Sequence, residues 1–173
     1  LVDLAVLDVL ESISILPGAG SGAFDASALD TFAASGTRID AADADNDGAS
    51  DLVTCSSTGV VFRHNRGDGT FTTATVTADP TGSVRFSDYS GDGAADLFVA
   101  KAPPALATIP DPVPLNLYPL ARIFVNDGGG GFAQNIPLRE WSNGARTHMT
   151  DAIAVDIGGD LGPDLFYSTL HIK

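Results

Sequence analysis

The sequence predicts an all-β protein built from tandem units of four short antiparallel strands. Three observations support this prediction. An acidic loop containing glycine recurs along the chain, a short apolar segment follows each copy, and a glycine-rich turn comes later in each full unit. Short apolar or alternating segments bounded by turn residues are typical of β-strands. A loop that recurs in phase with these segments indicates a repeat architecture.

The predicted strands are short and have an apolar or alternating pattern. In chain order they are 3–9, 12–16, 38–42, 51–55, 59–64, 71–77, 83–86, 95–100, 121–125, a strand opened by Phe132, 151–155 and 164–172. Segment 71–77 alternates threonine with apolar residues, as an outer strand half in water does. The glycine-rich segment 65–69 has the chemistry of a hairpin turn, whereas the proline-rich segment 102–120 cannot form sheet.

Each unit places the acidic loop between its first and second strands. Tandem four-stranded units of roughly 40–60 residues are the signature of β-propeller blades, and one such unit cannot bury its own faces, so neighbouring units must stack. We therefore predict about three blade equivalents. They comprise a partial blade at 1–35, full blades at 36–80 and 81–140 (the latter with insert 102–120), and a partial blade at 148–173.

Composition narrows the classes of partner. The 173 residues include nine Lys and Arg against 22 Asp and Glu, a net charge of −13. This charge disfavours nucleic acid and anionic membrane surfaces as partners. No apolar run approaches the ~18 residues of a membrane span. The single cysteine, Cys55, leaves no intrachain disulfide and is predicted to be a small hydrophobe in a buried strand.

The first acidic loop spaces its carboxylates as a hard cation requires. Asp43, Asp45, Asp47 and Asp51 stand at positions 1, 3, 5 and 9, with Gly48 at position 6. Alternate residues of a tight loop can direct their oxygens at one Ca²⁺ ion, and the glycine permits the sharp turn. An EF-hand would have a glutamate at position 12 and a helix after the loop. Here a β-branched segment follows, so the loop leads into a strand.

The loop frame recurs twice, with oxygen-bearing side chains at corresponding positions. They are Asp88, Ser90, Asp92 and Asp96 in the second loop, and Asp156, Asp160 and Asp164 in the third. In the third loop Gly158 replaces the ligand at position 3 and Leu161 replaces the glycine at position 6, which makes this the weakest of the three predicted sites. The alternative for each loop is a hydrogen-bonded Asx turn without an ion.

These motifs resemble the FG-GAP/VCBS repeat family, the calcium-loop blades of integrin α-chain propellers and of many secreted proteins. The resemblance depends on the first loop with the turn at 65–71, and on the second loop with the turn at 126–132. It implies Ca²⁺ bound by the acidic side chains together with the carbonyls of Ala49 and Ala94. It also implies a ring of commonly about seven blades, so the chain is expected to be part of a larger propeller completed by further blades or domains.

The ligand surface is predicted on the face opposite the metal loops. By the topology of a blade, the insert 102–120 and the linker 139–148 are both predicted on that face, and long loops on a rigid scaffold are common binding sites. Tyr118, Trp141, Arg146 and His148 are the predicted aromatic and cationic residues of the pocket. The alternative is that Trp141 only packs the linker against its blade.

The function predicted from these features is a non-enzymatic, extracellular, calcium-stabilised propeller. It would bind a protein or glycan, mediate adhesion or build a surface assembly; extracellular Ca²⁺ suits open sites of low affinity. One alternative is the propeller portion of a secreted carbohydrate-active or redox enzyme. Another is a propeller lectin with sites between blades, although Trp141 has no counterpart in the other units.

Overall fold

The computed structural model of the chain describes residues 3–8, 12–25, 30–34, 36–79, 81–101, 121–138, 146–159 and 163–172. Within these ranges the regular elements are β-strands, as the sequence predicts. No helix in them is long and apolar enough to cross a membrane.

The strands are short and pair in antiparallel sheets. In chain order they are β1 (Leu4–Leu7), β2 (Ser12–Leu16), β3 (Gly18–Gly20), β4 (Ala23–Phe24), β5 (Asp30–Ala33), β6 (Arg38–Ala42), β7 (Asp51–Ser56), β8 (Gly59–Asn65), β9 (Phe71–Thr77), β10 (Thr81–Ser87), β11 (Asp96–Lys101), β12 (Ala121–Val125), β13 (Gln134–Leu138), β14 (Arg146–Val155) and β15 (Asp164–Ile172). Most predicted strands are thus reproduced to within two residues at each end.

Two complete four-stranded meanders occupy the middle of the chain. Strands β6-β7-β8-β9 form sheet II, and β10-β11-β12-β13 form sheet III. Sheet I consists of β1-β2-β5, and sheet IV of β14-β15, while β3 and β4 form a small hairpin. In sheet II, Ala42 pairs with Asp51, and in sheet III, Ser87 pairs with Asp96. Each acidic loop therefore closes between two directly paired strand ends, which holds its residues in a compact turn.

Consecutive sheets stack through alternating side chains. Along β11, Leu97 and Val99 join a buried cluster shared with sheet II, whereas Phe98 and Ala100 pack against sheet IV. Successive side chains of a strand point to opposite faces, so one apolar strand fills both interfaces. Cys55 lies in the cluster between sheets II and III, and burial raises the pKa of its thiol. Sheets II and III thus bury both faces against their neighbours, as predicted for repeat units.

Polar contacts also join the stacked sheets. The Asp40 carboxylate of sheet II accepts a hydrogen bond from the Phe86 backbone N–H of sheet III at 2.8 Å. The Tyr89 hydroxyl of sheet III donates to the Ala152 carbonyl of sheet IV at 2.9 Å. Burial raises the pKa of the Tyr89 phenol, so the hydroxyl remains a donor at alkaline as well as neutral pH. These bonds fix the lateral position of one sheet on the next.

Two strand boundaries differ from the prediction. The last strand of sheet III begins at Gln134 and not at Phe132, because the Phe132 ring turns into the core and packs edge-on against Phe62 at 5.2 Å. Strand β14 begins at Arg146, so Arg146 and His148 lie in a strand and not in the predicted linker. Their backbone pairs with β15, with Arg146 opposite Ile172.

Strand β5 was not predicted individually. It lies in the polar stretch before the first acidic loop, yet Thr31 pairs with Ser14 of β2. The Phe32 ring packs against Phe71 of sheet II, with ring centroids 5.3 Å apart. Tertiary pairing and one half-buried aromatic ring therefore select a strand that local sequence pattern does not indicate.

Candidate functional site

The first acidic loop is held in place by its own carboxylates. Asp43 accepts hydrogen bonds from the backbone N–H groups of Asp47 and Gly48, at 3.1 and 3.0 Å. Asp45 also accepts from Asp47, and Asp47 accepts from Ala49 at 2.8 Å. The chain turns through Gly48 at φ +91°, a conformation that glycine adopts without a Cβ clash. The loop is thus an arrangement of successive Asx turns.

The same loop brings three predicted ligands together. Asp43, Asp45 and Asp47 each offer a carboxylate oxygen, and these oxygens lie within 4.8 Å of one another. Oxygen donors gathered by alternate residues are the donor set that Ca²⁺ prefers, so the residues present fit this ion. A bound Ca²⁺ would offset the repulsion among three carboxylates. Ala49, whose carbonyl was the other predicted ligand here, is in the loop with its N–H bonded to Asp47.

Asp51, at the ninth position, has a clear structural role. It is fully buried, and its Oδ2 accepts a hydrogen bond from the Ala44 N–H at 3.0 Å. Its Oδ1 accepts from the Asn65 N–H at 2.7 Å. One carboxylate therefore fastens the acidic loop and the β8–β9 turn to the start of β7. Its predicted role as a metal ligand stays a prediction.

The second loop repeats this construction. Asp88 accepts hydrogen bonds from three loop N–H groups, and Asp92 accepts from Ala94 at 2.9 Å. The fully buried Asp96 accepts from Tyr89 at 3.0 Å and from Ser90 at 2.8 Å. It also accepts from the N–H that opens the β12–β13 turn, at 2.8 Å. Ser90 takes the place of a third carboxylate, so this loop gathers less charge than the first.

The third loop keeps part of the pattern. Asp164 accepts hydrogen bonds from the N–H groups of Ile157 and Gly158, at 3.1 and 3.2 Å. Asp156 accepts from Gly159 at 2.6 Å. The remaining predicted ligand, Asp160, lies outside the described residues. In all three copies, the carboxylate at position 9 thus accepts hydrogen bonds from the backbone of its own loop.

His64 is a site residue that the sequence did not reveal. Its Nδ1 lies 3.2 Å from Asp45 Oδ2 and 3.3 Å from Asp51 Oδ1. The Leu52–Arg63 pairing of β7 with β8 brings the next residue of β8 beside the loop. A usable signal was present, since His64 directly precedes the turn at 65–69 that lies beside the metal loop.

Asn126 ties the second loop to the first. Its side-chain amide donates to the Ala44 carbonyl at 2.6 Å and to the Ala95 carbonyl at 2.9 Å. Its Oδ1 accepts from the N–H groups of Gly128 and Gly130. A single buried side chain therefore sets the relative position of both acidic loops and of the β12–β13 turn.

A polar groove opens between these elements, with a volume of about 570 Å³. The lining residues come from both acidic loops, the end of β12, the β12–β13 turn and the start of β13: Asn46, Asp92, Gly93, Ala94, Val125, Asn126, Asp127, Gly128 and Gln134. Backbone hydrogen bonds from Gly129 and Gly131 lower the pKa of the Asp127 carboxyl. The groove is therefore anionic at neutral pH.

The groove and the predicted ligand surface are at different ends of the sheets. Lys101 ends β11 and Ala121 opens β12, so the insert between them leaves from the end opposite the acidic loops. Tyr118 and Trp141 lie outside the described residues. Of Arg146 and His148 only the strand position is described, and the pocket predicted from these four residues stays a prediction.

Comparison with known proteins shows a similarity for the middle of the chain. The model of the FG-GAP-like repeat family matches residues 43–99. This segment is similar to an FG-GAP-like repeat. The matched segment begins at Asp43 of the first acidic loop and extends through the second loop into β11, so it includes two loops of the pattern in tandem. No curated protein matches the sequence of this chain.

A solved structure supports the fold of the sheets around this segment. It is a lectin of Agrocybe aegerita, and that structure describes the structural basis of specific recognition of non-reducing terminal N-acetylglucosamine by the lectin. The TM-score is 0.55 at 17% identity, over 93% of this chain and 42% of the lectin chain. This chain therefore spans less than half the length of that structure. The likeness confirms the all-β, propeller-type arrangement of the sheets.

Calcium is expected to stabilise the folded chain. At ~10 mM Ca²⁺ and a dissociation constant of ~0.1 mM, as for extracellular sites, linkage gives ~2.7 kcal/mol. That corresponds to a rise of roughly 5–10 °C in the melting temperature of a chain this long. Thermal unfolding with Ca²⁺ and with EDTA measures the shift. Asp47→Asn should reduce it, whereas Asp68→Asn, an equal charge change in a turn, should not. Equal melting temperatures with and without Ca²⁺ would contradict the prediction.

Proposed function

We propose that this chain is a non-catalytic, extracellular binding module, stabilised by Ca²⁺, that holds a glycan in the groove between sheets II and III. The groove is the observation on which the proposal depends. FG-GAP repeats are typical of extracellular proteins, and the likeness to a lectin favours a glycan over other small ligands.

The chemistry of the groove suits sugar hydroxyls. Asn46 and Gln134 contribute amides, and Asp92 and Asp127 contribute carboxylates. Sugar hydroxyls donate to carboxylate and amide oxygens, and they accept from amide N–H groups. Val125 adds a small apolar surface on which the carbon face of a ring can rest. A volume of about 570 Å³ lies within the range of small-ligand sites, roughly 300–1,000 Å³.

The two carboxylates of the groove are fixed before a ligand arrives. Asp127 is held by the N–H groups of Gly129 and Gly131, at 2.9 and 3.0 Å. Asp92 is held by its bond to Ala94, and Ca²⁺ in the acidic loops would stiffen this wall further. A fixed groove loses less conformational entropy on binding, which supports recognition by a few hydrogen bonds.

A protein contact is a second candidate, favoured by sheet IV. Its outer face exposes large apolar side chains, with Ile153 56%, Val155 42% and Phe166 46% exposed. Ile153 and Phe166 are directly opposite each other across β14 and β15. On sheet III the corresponding face is covered by the next sheet. We therefore propose that another sheet of the same kind, or a protein partner, covers this face.

The glycan proposal is tested with a panel of immobilised glycans, followed by calorimetry with the best soluble ligand. Gln134→Ala removes a groove amide and should weaken binding by about tenfold, which is ~1.4 kcal/mol. Asn135→Ala changes the next residue of β13, whose side chain points to the other face, and should leave affinity unchanged. If no glycan binds, or if the two variants behave alike, the proposal is wrong.

A further inference from the structure

We propose that the first acidic loop, together with His64, forms a mixed nitrogen and oxygen site for a divalent transition metal such as Zn²⁺. The site consists of His64 Nδ1, Asp45 Oδ2 and Asp51 Oδ1. It shares Asp45 with the oxygen cluster that fits Ca²⁺, and Asp51 is also a predicted Ca²⁺ ligand, so the two ions would compete for this loop. The imidazole changes the class of ion preferred. Ca²⁺ takes oxygen ligands, whereas imidazole nitrogen suits Zn²⁺ and neighbouring transition metals.

The two distances from the His64 nitrogen match those of a coordination sphere. In a tetrahedral site with bonds of about 2.0–2.1 Å, two ligand atoms are about 3.3 Å apart. His64 Nδ1 lies 3.2 Å from Asp45 Oδ2 and 3.3 Å from Asp51 Oδ1. A single imidazole nitrogen carries at most one proton, so it can make one well-aligned hydrogen bond and not two. Two carboxylates converging on one nitrogen are better satisfied by a shared cation.

The surroundings hold the ligands in position. Asp51 is fully buried, and its Oδ1 accepts one hydrogen bond, from the Asn65 N–H. A carboxylate oxygen has two lone pairs, so one remains available on Oδ1. The His64 and Asp45 side chains are 34% and 17% exposed, which leaves a route for an ion and for a water as fourth ligand.

The repeat provides an internal comparison. Asn65 and Asn126 open corresponding turns, so Val125 of sheet III stands where His64 stands in sheet II. In the same comparison Ser90 replaces Asp45. The second loop therefore has oxygen donors without an imidazole, and we expect it to bind Zn²⁺ much more weakly than the first loop does.

The test is calorimetry with ZnCl₂ on the whole chain, prepared without a polyhistidine tag. The expected result is one Zn²⁺ per chain, with an affinity that falls more than about tenfold in His64→Val. This size is expected because even a residue that only orients a metal ligand contributes about 10–100-fold to metal affinity. His171→Gln, a change in β15, serves as the histidine control and should bind like the unaltered chain. The double variant Ser90→Asp/Val125→His should gain a second Zn²⁺.

Two further measurements keep the outcome decisive. In the unaltered chain, the imidazole NMR signals of His64 should shift on addition of Zn²⁺, which requires no variant to fold. Co²⁺ should give the visible absorption of a four-coordinate site, and this absorption should be lost in His64→Val. The proposal is overturned if Zn²⁺ does not bind, if it binds His64→Val as tightly, or if the His64 signals do not move. Stabilisation by Ca²⁺ would survive any of these results, because it needs only oxygen donors.

Discussion

Asp96→Ala is expected to lower the free energy of unfolding by about 3–4 kcal/mol. The buried carboxylate accepts hydrogen bonds from the N–H groups of Tyr89, Ser90 and Asn126. Alanine leaves all three donors without this partner, and each unsatisfied buried group costs about 1–3 kcal/mol. The sum is reduced because water can reach the N–H groups at the loop surface.

Urea unfolding in EDTA measures this loss without any contribution from bound metal. Asp92→Ala is the matched control, because Asp92 belongs to the same loop. Its carboxylate is exposed and accepts one hydrogen bond, from the Ala94 N–H. It should cost less than about 1 kcal/mol, as most exposed substitutions do. Asp51→Ala, which frees two N–H groups, should fall between them. Equal losses of unfolding free energy at the three positions would show that the carboxylates at position 9 do not stabilise their loops.

The spacing of the loops made much of the fold predictable. Strands Arg38–Ala42 and Phe71–Thr77 have the predicted bounds, because glycine and aspartate on either side disfavour continued sheet. The loop pattern also predicted that Asp43, Asp45 and Asp47 come together, since alternate residues of one tight turn face the same point. These features depend on residues that are close together in the sequence, so the sequence pattern alone is enough to predict them.

Features that depend on pairing between strands or sheets were not predictable in this way. His64 reaches the first loop only through the register of β8 on β7. The groove combines Asn46 of one sheet with Asp92 and Gln134 of the next, so it depends on how far one sheet is displaced along the other. Phe132 has the pattern of a strand residue, yet packing against Phe62 places it before the strand.

Asn126→Ala is expected to cost about 3 kcal/mol of unfolding free energy, because one side chain makes four hydrogen bonds. Its amide donates to the carbonyls of Ala44 and Ala95, and its Oδ1 accepts from Gly128 and Gly130. A net contribution of about 0.5–1.5 kcal/mol per bond gives this sum. The bond to Ala44 crosses from sheet III to sheet II, so the variant also weakens the contact between the two acidic loops.

Asn65→Ala provides the matched control, since Asn65 stands at the same place in sheet II. Its amide donates to Ser50 within its own sheet, at 3.1 Å, and its Oδ1 accepts from Gly67 at 3.0 Å. We expect a loss of about 1 kcal/mol there, because these groups are exposed and water replaces the bonds. Urea unfolding of both variants measures the difference between their losses of unfolding free energy. That difference is the contribution of the buried hydrogen bond between the two sheets. If the two losses are equal, Asn126 contributes only to its own turn, and the acidic loops are aligned by apolar stacking alone.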